Sequence, residues 1–117
     1  MRRVVGAAGL DVCCVMVFVV IGRANHDEGA SLGGFVGTAW PFLVGLALGW
    51  GLTRAWRAPF GVVPVGVGVW AATVGVGMVL RAVSGQGTAF AFVVVATLFT
   101  GAVLLGWRVV ARRLGIS

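Results

Sequence analysis

The sequence predicts an all-α membrane protein, with four transmembrane helices in an up-down-up-down bundle, N-in/C-in. Three observations lead there: the composition, the spacing of the apolar blocks and the placement of the arginines. Of 117 residues, 60% are hydrophobic and only 10% are charged, and the mean hydropathy is +1.07. A water-soluble domain carries about a quarter charged residues, so this surface is made for a different solvent. The apolar residues form four blocks, Val4–Ile21, Leu32–Leu52, Gly61–Leu80 and Phe90–Leu105. These place the spans at about 4–22, 32–52, 61–80 and 88–106 of one membrane domain, residues 1–117. Each approaches the ~20 residues that a helix needs to cross a ~30 Å hydrocarbon core, the first and last falling slightly short. The Val-Gly alternation in Pro64–Val69 and Val74–Val79 suggests β-strands at first sight. Strands of a membrane barrel alternate apolar with polar positions, and here both faces are apolar.

All nine basic residues are arginine. Arg2, Arg3, Arg54, Arg57, Arg108, Arg112 and Arg113 fall at one face of the predicted bundle, and only Arg23 and Arg81 at the other. This bias follows the positive-inside rule and puts both termini in the cytoplasm. The net charge of +6 therefore reads as a topology signal, with attraction to anionic lipid as its side effect. A nucleic-acid partner would call for a basic stripe with stacking aromatics on a soluble surface, and none is expected.

In the first span, Met1-Arg2-Arg3 followed by an apolar stretch loosely resembles a signal peptide ending at Gly22-Arg23-Ala24. Asp11 interrupts that stretch and an arginine occupies the cleavage position, so retention as a span is expected. Asp11 is the candidate intramembrane functional residue. A charged side chain near the centre of a span costs about 2.5–3.5 kcal/mol on insertion scales, so it needs a partner, water or a proton. The functional reading makes it a proton- or cation-coupling carboxylate. The structural reading makes it a buried acid bonded across helices to Trp50, Thr53 or the chain near Thr100, and a shallow position near the headgroups is a third. Cys13 and Cys14 lie mid-span and say nothing of the redox compartment.

The first connection carries Arg23, Asn25, His26, Asp27 and Glu28, and the third carries Arg81, Ser84, Gln86 and Thr88. Both belong to the outer side, so Arg23, His26, Glu28, Arg81 and Gln86 form a candidate polar cluster there. Arg81 is expected to snorkel outward or to pair with Asp27 or Glu28. A small anion or polar headgroup fits between two arginines. His26 beside carboxylates suits a metal or a pH response, but a loop histidine is usually just solvated, and no metal or cofactor is expected.

The second span contains Pro41, which should bend it and free a carbonyl for another partner. Ser31 and Thr88 are the expected caps of the second and fourth spans, and Pro59 and Pro64 flank the start of the third. Gly33/Gly37, Gly45/Gly49, Ala71/Gly75, Thr73/Gly77 and Ala102/Gly106 are small residues four apart, which let helices approach closely in lipid. They serve packing within the bundle or contact between copies. Trp50, Trp56 and Trp107 suit interfacial belts, whereas Trp40 and Trp70 lie deeper and read as packing residues. Gly85-Gln86-Gly87-Thr88 lacks the lysine of a phosphate loop and reads as a tight turn. No catalytic constellation is present, so no enzyme is expected.

The stretches Asp11–Gly29 (DVCCVMVFVVIGRANHDEG), Thr38–Trp50 (TAWPFLVGLALGW), Gly77–Thr97 (GMVLRAVSGQGTAFAFVVVAT) and Gly106-Trp107-Arg108 resemble a bacterial membrane family known as domain of unknown function three-zero-five-four. The resemblance spans nearly the whole chain and implies a membrane location and a single domain, with no activity attached. The architecture is also similar to the small multidrug resistance transporters, with four short spans and one acid in the first. The charge bias and the absence of tyrosine set this chain apart from them.

These features lead to a non-enzymatic, multi-pass component of the bacterial cytoplasmic membrane. Its expected partners are the lipid bilayer and either itself, as a homo-oligomer, or other membrane proteins. The alternative is a small solute or ion transporter or channel unit that uses Asp11.

Overall fold

The computed structural model describes residues 2–25 and 32–116. They form four long helices, α1 (Arg2–Asn25), α2 (Leu32–Thr53), α3 (Val67–Val83) and α4 (Phe90–Arg113). A 3₁₀ turn at Ala55–Arg57 and an irregular π-type turn at Val62–Gly66 lead into α3. With that turn counted, the four spans run 22, 22, 22 and 24 residues, each long and apolar enough to cross a membrane. At ~1.5 Å per residue each is over 30 Å long, so α1 and α4 are not short as the apolar runs implied. Both helices run on past the apolar stretch through arginines, Arg2, Arg3 and Arg23 in α1 and Arg108, Arg112 and Arg113 in α4.

Each chain reversal has a local cause. α3 ends where Gly85 takes φ +81°, with the Gln86 amide donating to the Arg81 carbonyl (2.8 Å) and the Gly85 amide to that of Ala82 (3.2 Å). This is the Schellman arrangement, and the expected tight turn is therefore found. The same pattern closes α4 at Gly115, φ +79°, with Ile116 donating to Ala111. α2 ends at Arg54, whose φ of 51° is left-handed and stops the ladder. Pro59 and Pro64 do flank the approach to α3, where Val63 is extended inside the π-type turn. Thr88 does not cap α4: the N-cap is Ala89 and no side chain bonds there. Ser31 lies outside the described residues.

Packing joins α1 to α2, α2 to α3, α3 to α4 and α4 back to α1, the closed ring of an up-down-up-down bundle. The closest contact is between α2 and α3. A Cβ on Gly45 would stand 2.7 Å from the Ala72 carbonyl oxygen, and one on Gly49 would stand 3.0 Å from the Val69 Cα. Gly77 on α3 receives the ring of Phe42. The pairs Gly45/Gly49 and Thr73/Gly77 thus pack within the bundle, whereas Gly33, Gly37, Gly75 and Gly106 face open space. Gly101 on α4 accepts the indole of Trp70, whose Nε1 donates to the Thr97 carbonyl (2.9 Å). Trp70 is a packing residue as expected. Trp40, 38% exposed, is covered over the larger part of its surface but is less enclosed than Trp70.

The mid-bundle core is aromatic. Phe18 meets Phe42 edge-on at 5.3 Å and lies 6.0 Å from both Phe92 and Phe99. Polar layers sit on either side, one toward the termini and one toward the α1–α2 and α3–α4 connections.

Candidate functional site

Asp11 belongs to the buried stripe of α1, which also carries Ala7, Val15 and Phe18, at the spacing of one helical face. Its carboxylate is completely enclosed and accepts four hydrogen bonds. Oδ1 receives Trp107 Nε1 and Arg108 Nη1, both at 2.8 Å. Oδ2 receives Trp50 Nε1 at 2.8 Å and Arg108 Nη2 at 2.7 Å. Arg108 is therefore a two-pronged partner, and both side chains have 0% exposure.

Arg108 has further anchors. Its Nε donates to the Pro59 carbonyl (3.1 Å), its Nη1 also reaches the Leu104 carbonyl (3.0 Å), and its guanidinium lies 4.5 Å from the Trp107 ring centre. α1, α2, α4 and the α2–α3 connection are thereby tied at one point. Gly66 leaves room for the arginine, since a Cβ there would lie 3.0 Å from Arg108 Cδ and 2.9 Å from Leu105 Cδ2. Such a pair survives burial because its geometry is two-pronged and its remaining lone pairs are filled.

Of the partners expected for Asp11, Trp50 is present. Thr53 and Thr100 instead donate to their own helices, at Gly49 and Ala96. Arg108, counted among the surface charges of one face, is buried in the bundle. The sequence does carry a trace of this: Arg108 extends the α4 stripe Ala96, Thr100 and Leu104 by one more turn. A lone acid inside a span calls for a cation on a facing stripe, and Arg108 is the arginine in that position.

About 18 Å further along α1, twelve residues at ~1.5 Å each, lies the second polar layer. Arg23 Nη1 donates to Thr38 Oγ1 (2.9 Å). Arg81, 9% exposed, donates from Nε to the Gly87 carbonyl (3.0 Å) and from Nη1 to Gln86 Oε1 (2.9 Å). Its guanidinium stacks 4.2 Å above Phe92. It therefore turns inward onto the α3–α4 turn instead of snorkelling away. Gln86 Nε2 donates to the Gly37 carbonyl (3.0 Å). That oxygen is the one that the missing amide of Pro41 leaves free, so the expected spare carbonyl exists and has a partner.

Arg23, Arg81, Gln86 and Thr38 line a cavity of about 620 Å³ whose inner wall includes Phe18 and Phe92. Three of the five residues of the expected outer cluster, Arg23, Arg81 and Gln86, thus meet around one space. His26 and Glu28, with Asp27, lie outside the described residues.

A family model described as Protein of unknown function (DUF3054) matches residues 8–111. The chain belongs to this family. The matched segment takes in Asp11, Trp50, Arg108 and every named residue of the cavity, so both polar layers lie inside the family domain. No curated protein and no solved structure matches the chain.

Proposed function

We propose that the protein is a non-enzymatic, multi-pass component of the bacterial cytoplasmic membrane that packs with itself or with other membrane proteins. Its termini face the cytoplasm in this reading, which rests on the arginine bias. The observation that carries the proposal is the state of Asp11. A carboxylate that couples a proton or cation must change partners and meet water. This one is enclosed, and all its bonds go to two indoles and one arginine. The buried rings of Phe18 and Phe42 stand between it and the cavity at the far end. A structural lock accounts for these features without a solute path.

An outer face of α3 supports the partner role. Val67, Ala71, Gly75 and Val79 recur every four residues, all exposed, with small residues at the centre and Val79 60% exposed. Small centres flanked by valines suit close helix contact in lipid.

Cys14 lies one turn beyond Asp11 and is half-buried, while Cys13 is exposed on another face. In intact membranes, a small hydrophilic thiol reagent should leave both cysteines unmodified until the bundle is unfolded. Labelling of Cys14 that disappears in Asp11→Asn would reveal a hydrated path and replace this reading with the transport alternative.

A further inference from the structure

We propose that the end of the bundle carrying the termini holds one anionic phospholipid, its phosphate among Arg3, Arg57 and Arg112 and an acyl chain in the adjoining crevice between α1 and α4. Two neighbouring spaces supply the two halves of this site. The first, about 500 Å³, is lined by Arg3, Arg57 and Arg112 together with Trp56 and Phe60. The second, about 570 Å³, is almost wholly apolar and is lined by Leu10, Phe60, Gly106, Trp107 and Val110, with Arg2 and Arg3 at its rim. Arg3 and Phe60 border both, and the Arg3 guanidinium lies 5.2 Å from the Phe60 ring centre.

Charge complementarity decides the occupant. Three arginines border the first space, from the start of α1, the α2–α3 connection and the end of α4. Among the described residues Asp11 is the single carboxylate, and it is consumed by Arg108. No carboxylate side chain of the described residues is therefore left to neutralise the cationic pocket, which suits an external anion. Guanidiniums bind phosphate oxygens with paired N–H donors, which suits a phosphodiester. The apolar crevice beside it excludes a plain inorganic anion as the complete ligand. Gly106 has no atom within 4 Å of where a Cβ would stand, so the crevice is open where a chain would enter. Basic pockets beside membrane helices recognise anionic headgroups in this way, and Trp56, exposed in the turn just after α2, is of the residue type enriched at headgroup level. This site is separate from the cavity at Arg23 and Arg81.

The whole chain, purified in detergent, would be titrated with phosphatidylglycerol, with phosphatidylcholine of the same acyl chains, and with glycerol phosphate, and bound adducts read by native mass spectrometry. Phosphatidylglycerol should be retained at several-fold lower concentration than phosphatidylcholine, and glycerol phosphate should bind far more weakly than either. Arg57→Gln and Arg112→Gln should each weaken phosphatidylglycerol by about fivefold and weaken phosphatidylcholine, whose choline offsets the phosphate charge, by less. Gly106→Leu, whose Cβ would meet nothing within 4 Å, should weaken phosphatidylglycerol while every arginine remains. Equal retention of the two lipids would overturn the proposal. So would glycerol phosphate binding as tightly as the lipid, which would mark a soluble-anion site, or undiminished lipid binding in Gly106→Leu with an unchanged melting temperature.

Discussion

Asp11 and Arg108, 97 positions apart in the chain, meet through two parallel hydrogen bonds of 2.8 and 2.7 Å with no exposed surface on either side chain. The pair closes the ring of helices by joining the first to the last. Breaking a buried pair strands a charge, whereas replacing both partners with apolar residues removes the charge altogether. Asp11→Leu and Arg108→Leu should therefore each lower stability by about 3–5 kcal/mol, and the double substitution should recover much of that loss. Thermal unfolding of the four species in detergent checks it, and additive losses would contradict the pairing.

The two indoles on Asp11 are separable from the arginine. Trp50→Phe and Trp107→Phe each remove one donor to a charged acceptor and keep most of the ring volume. Each should cost about 1.5–3 kcal/mol, the range for hydrogen bonds to charged groups. Melting curves that show either substitution to be neutral would place the carboxylate elsewhere.

Gln86 and Pro41 are linked through the Gly37 carbonyl. Gln86→Leu should cost about 1 kcal/mol by leaving that partly buried oxygen without its side-chain donor. In Pro41→Ala, residue 41 regains an amide that can serve Gly37, so the penalty for Gln86→Leu should shrink in that background. A denaturation cycle over the four combinations tests the link, and an unchanged penalty would argue against it.

The glycines divide into two sets with opposite expectations. Gly45→Ala forces a methyl to within 2.7 Å of the Ala72 backbone oxygen and should cost at least about 1–3 kcal/mol as α2 and α3 are pushed apart. Gly75→Ala meets nothing within 4 Å and should leave the isolated protein as stable as before, or slightly more so, since alanine favours helix. Parallel melting of the two variants decides the matter. A loss of self-association in Gly75→Ala without a loss of stability would additionally support the α3 contact face.

The number of helices, their approximate limits and the solvent they require are all legible in the residue order alone. Those follow from composition and block length, which act locally and need no partner. The same order marks Asp11 as a residue in need of company, Pro41 as the source of a spare carbonyl, and Gly85 as a turn. Which groups answer those needs emerges only once the helices are packed. Arg108 reads from sequence as one more basic residue near a span end, because the apolar run stops before it. The fold carries it inward, since the last turns of α4 pack on α1 and the two-pronged contact with Asp11 outweighs its exposure to headgroups. The division of the glycines is equally invisible in one dimension: Gly45 and Gly75 both lie in small-residue pairs, and only the helix across from each distinguishes contact from open space. A need can be read from one residue, but its satisfaction is a property of two elements brought together.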